Sequence, residues 1–215
     1  MPDDESRLTI KLMDAPLLAL EFQNQRQGAF HAAHGYASLP PVLDPCCSCR
    51  KFWFDPHDER AIFCDKRQES RVTDVGTPGT QGRKPLIVEP DLVADFTAMP
   101  FPDESFYLVV FDPPHMEKLG DTGHYAMAYG KLRGEWRNEL RKGFAECFRV
   151  LKPMGTLIFK WCEVEIPLSE ILKLTPEKPL FGHRSGKAAK THWCAFLKHN
   201  DKSSHGAGRK EQDAK

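Results

Sequence analysis

Ser105-Phe106-Tyr107-Leu108-Val109-Val110-Phe111-Asp112-Pro113-Pro114-His115 is the stretch on which the reading of this chain turns. Its unbroken Leu-Val-Val-Phe run lacks polar alternation, so a strand formed here is buried on both faces, as in the middle of a parallel sheet. The strand ends in an acid, and two prolines follow. They fix a rigid, extended loop and remove two amide donors, leaving carbonyls free to accept hydrogen bonds. At proline usage of roughly 5%, an Asp-Pro-Pro-aromatic match arises by chance in a chain of this size about once in a hundred. The tetrapeptide is therefore read as functional rather than as an ordinary turn.

Working outward, the same pattern of a short apolar run closed by an acid recurs at Leu39 to Asp44-Pro45, at Arg60 to Asp65, and at Asp91 to Phe96, the third being a further strand. Lys66 to Lys84 is polar and rich in Gly, Thr, Arg and Asp, and is expected to be an exposed loop. On the C-terminal side, Trp136, Leu140, Phe144, Cys147, Phe148 and Leu151 recur at spacings of three and four, which predicts an amphipathic helix over Gly134 to Leu151. Lys152-Pro153-Met154-Gly155 is its stop, and Thr156 to Trp161 is a second buried strand. A helix near Leu168 to Leu174, a strand at Pro179 to Phe181 and a last strand at Trp193 to Leu197 complete the pattern. The fold class is α/β, an open and mostly parallel sheet. Ligands of such sheets sit beyond the carboxyl ends of the strands, where Asp44, Asp65, Asp95 and Asp112 all fall.

The 215 residues, 40% of them hydrophobic, suit one domain. We place it at 39–199, behind an N-terminal extension over 1–38 and before a tail, 200–215, whose polar Ser-Gly composition predicts disorder. No stretch approaches the roughly 18 to 20 apolar residues that span a bilayer, and the N-terminus has no signal-peptide pattern, so a cytoplasmic protein with no membrane partner is expected. Thirty basic residues balance thirty acidic ones, so nucleic-acid binding must rest on a local patch. The seven cysteines are expected to be reduced. Cys46, Cys47, Cys49 and Cys64 cluster without the paired C-x2-C knuckles of structural zinc sites, and no metal is expected.

The Asp112-Pro113-Pro114-His115 loop suits an amine substrate. An exocyclic amine is a poor nucleophile because its lone pair is delocalised into the ring. Hydrogen bonds from its two N–H groups to the Asp112 carboxylate and the Pro113 carbonyl favour a tetrahedral nitrogen able to attack a methylsulfonium. His115 would stack on the extruded base.

These residues resemble the [D/N/S]-P-P-[aromatic] motif of amino-group methyltransferases, and Pro90 to Phe96 with Phe101 to Phe106 looks like the region preceding it in class I methyltransferases. From Val42 to Leu197 the chain resembles small phage and prophage enzymes in which an Asp-Pro-Cys-Cys-Gly-Ser-Arg segment precedes an aromatic pair. The resemblance implies a Rossmann-like sheet with helices on both faces and an antiparallel last strand. It implies S-adenosylmethionine as cofactor and N6 of adenine in DNA as substrate, with RNA or protein as alternatives. Asp44, Pro45, Cys46 and Cys47 match the cofactor loop, which departs from the pattern at Ser48, where a glycine is expected, and at Cys49, where a serine is. Asp65 matches the acid that holds the ribose hydroxyls, or else is a solvated strand-end carboxylate. Asp95 and Phe96 match positions beside the adenine ring of the cofactor, though Phe96 fits a core residue equally. Lys160 and Trp161 end a strand and are candidates to face the substrate, Trp161 being equally at home in the core. His183, Arg184 and Lys187 belong to a basic loop that either follows a phosphate backbone or is ordinary solvated surface. Trp193 is read as an anchor of the last strand. The chain is expected to act as a monomer or homodimer. A non-enzymatic reading, in which the altered Ser48-Cys49 turn marks a binding protein that has lost its cofactor and holds zinc, stays open from sequence.

Overall fold

The structure, a computed structural model, describes residues 39–73, 84–120, 124–185 and 188–199. The expected N-terminal extension and tail lie outside them. In chain order the elements are β1 (Val42–Asp44), β2 (Ala61–Asp65), β3 (Glu69–Thr73), β4 (Lys84–Val88), β5 (Leu92–Val93), β6 (Phe106–Phe111), α1 (His124–Tyr129), α2 (Trp136–Val150), β7 (Leu151–Cys162), α3 (Leu168–Ile171) with a 3-10 turn at Leu172–Leu174, β8 (Phe181–Ser185) and β9 (Thr191–Leu197).

Seven strands form one sheet in the order β5-β2-β1-β6-β7-β9-β8. The first five run parallel, and β9 is antiparallel to both β7 and β8. This is the open, mostly parallel Rossmann-like sheet of the α/β class, with its last strand reversed. Phe106, Val109 and Phe111 of β6 are completely buried, as the unbroken apolar run requires.

The helical period of α2 turns Trp136, Leu140, Phe144, Cys147 and Val150 onto the sheet. Phe144 meets Phe111 and Phe159 with ring centroids 5.6 and 4.9 Å apart. Against the same core pack Ile171 of α3 and Leu174 of the turn that follows. On the opposite face, Cys47 and Trp53 cover Ala61 and Phe63.

Three local expectations change, one being that the strand expected at Pro179 to Phe181 instead runs over Phe181–Ser185, through the residues expected as a basic loop, and pairs with β9. Part of the polar 66–84 stretch pairs as an antiparallel ribbon, β3 with β4, separate from the main sheet. β3 is mostly polar, and Leu86 and Val88 of β4 are buried just past the end of that stretch, so the polar composition of 66–84 hid the pairing. The Lys152-Pro153-Met154-Gly155 stop lies inside β7, because α2 passes directly into that strand at Leu151. Met154 takes the reversal at φ +62°. Gly155 lets the chain pass so close that a Cβ would stand 2.8 Å from the Lys152 carbonyl.

The strands on the two sides of the β1–β6 pair lead off in opposite directions, so the crevice between their carboxyl ends is the topological switch point. Asp44 ends β1, and Asp112 follows β6.

Candidate functional site

Beyond β1 the chain folds back on itself. Asp44 is fully buried, and its carboxylate accepts from the Cys46 amide at 3.1 Å and from the Trp53 indole at 2.8 Å. Burial outweighs both donors and pushes its carboxyl from 3.8 up to about 7. Ser48 and Arg50 hold left-handed backbone at φ +48° and +52°. The glycine expected at 48 is thus replaced by a residue that adopts the glycine conformation at some steric cost. The turn is then locked: the Ser48 amide donates to Asp65 at 3.0 Å, and its hydroxyl donates to the Ala128 carbonyl of α1. The Arg50 guanidinium lies 4.0 Å over the Phe63 ring and donates to the Pro56 and Glu89 carbonyls. Burial pushes the Cys46 and Cys47 thiols well above their usual range, which suits an apolar wall rather than a nucleophile.

Asp65, 5% exposed, closes β2. Besides the Ser48 amide it accepts from the Arg67 amide at 2.9 Å and from the Arg67 guanidinium at 3.1 and 3.2 Å. Arg67 also donates to the Met127 and Ala128 carbonyls at 2.9 and 3.2 Å. One buried carboxylate and one guanidinium therefore pin α1 across the rim of the sheet.

On the other side of the switch point, the Asp112 Oδ2 pairs with the Lys160 ammonium. Its Oδ1 is buried and faces His115 Nδ1 at 4.0 Å. Neither of those two atoms has a hydrogen-bond partner among the described residues. Burial lowers the His115 pKa, so the ring is neutral near pH 7. His115 meets Trp161 edge-on, with centroids 5.9 Å apart. Trp161 is entirely buried, stacked on Phe159 and donating to the Ile166 carbonyl at 2.9 Å. Strand alternation gives the reason: adjacent residues of β7 face opposite sides, so Lys160 reaches the crevice and Trp161 the core. The Lys160 ammonium lies 5.4 Å from the Phe52 ring centroid and 5.7 Å from that of Trp193.

A cavity of about 430 Å³ joins the two sides. Of the residues singled out from sequence, Pro45, Cys46, Cys47, Asp65, Phe96, Asp112, Pro114 and Lys160 line it. Asp44 stands behind that wall, Pro113 is buried, and His115 is turned toward Asp112 and Trp161. Asp95 caps its own turn, accepting from the Thr97 amide and hydroxyl at 2.8 Å each, and is not in the lining. Phe96 is 7% exposed and packs edge-on against Phe111. His183 and Arg184 are exposed on the edge strand β8, three strands from β6 and so roughly 14 Å across the sheet. Lys187 lies outside the described residues.

Lys51, Phe52 and Arg67, which were not singled out from sequence, also line the cavity, together with Tyr129, Lys131 and Arg133. Phe52 carried a signal, being half of an aromatic pair just beyond the turn. Arg67 carried one too, since a base two residues after a strand-end acid can fold back on it. Among the described residues, no group of three or more His, Cys, Asp or Glu side chains could hold a metal ion, and no helix is long and apolar enough to cross a membrane.

No family model matches the chain, and no curated protein matches its sequence. Solved structures give distant likenesses. The PH0226 protein from Pyrococcus horikoshii is 14% identical, with 83% of this chain and 90% of that one covered and a TM-score of 0.43. A TehB-like SAM-dependent methyltransferase from Corynebacterium glutamicum is 12% identical, with 85% and 99% covered and a TM-score of 0.43. The 1,6-didemethyltoxoflavin-N1-methyltransferase of Burkholderia thailandensis, bound to 1,6-didemethyltoxoflavin and S-adenosylhomocysteine, is 13% identical, with 91% and 93% covered and a TM-score of 0.42. At such scores the likeness carries no weight for activity or ligand.

Proposed function

We propose that the chain is an S-adenosylmethionine-dependent methyltransferase acting on an exocyclic amine, with N6 of adenine in DNA as substrate and residues 39–199 as its catalytic domain. The observation that carries this reading is Asp112: a strand-end carboxylate at the switch point, followed by two prolines, lining a cavity and already holding a nitrogen donor, the Lys160 ammonium.

The residues present fit the cofactor. The cavity volume lies within the range of small-molecule sites. Pro45, Cys46, Cys47 and Asp65 form one wall of it. The Asp65 carboxylate keeps room for a hydroxyl beside Arg67 only if the guanidinium shifts, since both of its oxygens already accept hydrogen bonds. When bound, the cofactor supplies a methyl carbon on a cationic sulfur.

Asp112 then accepts from one N–H of the substrate amine where it now accepts from Lys160, drawing the nitrogen toward tetrahedral geometry so that its lone pair points into the cavity. With the cofactor's methyl group on its other side, the amine would lose a proton on becoming methylated, and the Asp112 carboxylate is the neighbouring acceptor for it. His115, half-buried, faces the Asp112 Oδ1 at 4.0 Å from behind. DNA as the polymer follows from the resemblance of the Asp-Pro-Cys-Cys and Asp-Pro-Pro segments.

The test is mass spectrometry of nucleosides from DNA and RNA incubated with the protein and S-adenosylmethionine, alongside Asp112→Ala. We expect N6-methyladenine in DNA, lost by about a hundredfold or more in the variant, with cofactor binding by calorimetry largely kept. Label only in RNA or protein overturns the substrate. No cofactor binding at millimolar concentration overturns the enzyme.

A further inference from the structure

An extended ring system whose amine sits on Asp112 needs a flat surface beside it, and the motif offers His115 for that purpose. The geometry does not. His115 is turned toward the Asp112 Oδ1 side and meets Trp161 edge-on, and it lies outside the cavity lining. Of the aromatics that line the cavity, Phe96 packs against Phe111, and Phe52 is the one that lies against the Lys160 ammonium paired with Asp112.

The Lys160 ammonium marks where a nitrogen donor sits on Asp112, and from that nitrogen the Phe52 ring centroid is 5.4 Å away. A ring attached to a nitrogen in this place is within reach of the Phe52 ring, since aromatic pairs settle with centroids about 4.5 to 7 Å apart. Phe52 is half-buried and braced on two sides, edge-on by Trp193 at 5.8 Å and face-on by Trp53 at 6.0 Å. Trp53 is fixed in turn by its indole bond to Asp44 and its edge contact with Phe63. Trp193 sits on β9 directly opposite Lys160, which places both side chains on one face of the sheet. A ring backed in this way is held in place before any substrate arrives, so little side-chain freedom is lost on stacking.

We infer that Phe52, backed by Trp193, is the substrate-stacking residue, supplying the plane that holds a heteroaromatic amine against Asp112. This rests on the amine-methyl-transfer reading above. It places the base between Phe52 and the Pro114 side of the cavity, with Lys160 displaced from Asp112 toward the Trp193 ring.

The experiment measures transfer of labelled methyl from S-adenosylmethionine to unmethylated double-stranded DNA of mixed sequence and to unmodified RNA, by the full chain and by Phe52→Leu, Phe52→Tyr and His115→Leu, with calorimetry of cofactor binding on each. Phe52→Leu is expected to lower kcat/KM about tenfold or more, mainly through KM, while cofactor affinity stays within about twofold, and Phe52→Tyr restores the rate. Wild-type kinetics in Phe52→Leu, with His115→Leu raising KM instead, overturn the assignment and leave the methyltransferase reading standing. So does loss of cofactor binding in Phe52→Leu, or failure of Phe52→Tyr to rescue it, either of which marks a merely structural ring. No methyl transfer to either polymer by the unaltered chain overturns the stacking assignment together with the nucleic-acid substrate it rests on.

Discussion

Replacing Asp44 with asparagine separates the electrostatic cost of the buried acid from its hydrogen bonds. In the folded chain the Asp44 carboxyl titrates at about 7, against an ordinary 3.8, so below pH 4 it is protonated in both folded and unfolded states and contributes no pH dependence. Between pH 4 and 7 the unfolded chain gives up this proton and the folded chain keeps it. The unfolded state then binds fewer protons, and stability falls as pH rises, by about 1.4 kcal/mol per pH unit. Above pH 7 the loss levels off, near roughly 4 kcal/mol. From pH 5 to pH 8 the Asp44 share is about 2.5 kcal/mol. Asparagine keeps the shape and one acceptor oxygen for Cys46 or Trp53 but cannot ionise, so its lost hydrogen bond is a constant offset. Urea denaturation of both proteins at pH 5 and pH 8 isolates the difference, because other titrating groups cancel in the comparison. Asp44→Asn is expected to gain on the wild type by about 2.5 kcal/mol across that interval. Two stability profiles that run parallel would refute the claim that burial, rather than the Trp53 and Cys46 donors, controls this carboxyl.

Gly143 of α2 lies against the aromatic core, where an added Cβ would meet the Phe96 ring at 2.7 Å and the Phe111 ring at 2.9 Å. Gly143→Ala is expected to cost about 1–3 kcal/mol by urea denaturation, and an unchanged midpoint would mean that these rings move freely. At Ser48, the left-handed backbone and the hydroxyl bond to Ala128 oppose each other. Ser48→Gly should stay within about 0.5 kcal/mol of wild type, while Ser48→Ala, which keeps the strain and drops the bond, should lose about 1 kcal/mol. The reverse order would remove the backbone argument.

The parts of the fold written in apolar runs were legible: β6, α2 and β9 are where uninterrupted or 3.6-periodic hydrophobicity puts them, because burial demands it. The β3–β4 ribbon was not, since β3 is mostly polar and the short apolar run of Leu86 to Val88 in β4 does not say which strand it pairs with. Within the site, the strand-end acids were visible one by one, but not which would reach the cavity. Asp95 is consumed by its own turn, and Asp65 is shared with Arg67, a partner that only the folded chain brings into register with α1. Lys160 and Trp161 could have been separated from sequence alone, because neighbours on a strand cannot share a face. Phe52 was marked only as half of an aromatic pair, and its place in the cavity depends on the path of a turn containing two left-handed residues.

The cavity wall is divided between two regions of chain. Cys46, Cys47 and Asp65 come from the β1–β2 side, while Asp112, Pro114 and Lys160 come from the β6–β7 side. The seam between them is the β1–β6 pairing, which joins Val42 to Leu108 across a long stretch of sequence. Parallel pairing over such a separation closes slowly, after the contiguous β6-α2-β7 crossover has its local contacts. A half-assembled chain therefore offers a ligand no pocket. Occupancy acts as a fastener across that seam: any molecule held by both walls opposes global unfolding, in proportion to the logarithm of its concentration over its dissociation constant, and does little against the fraying of either region alone.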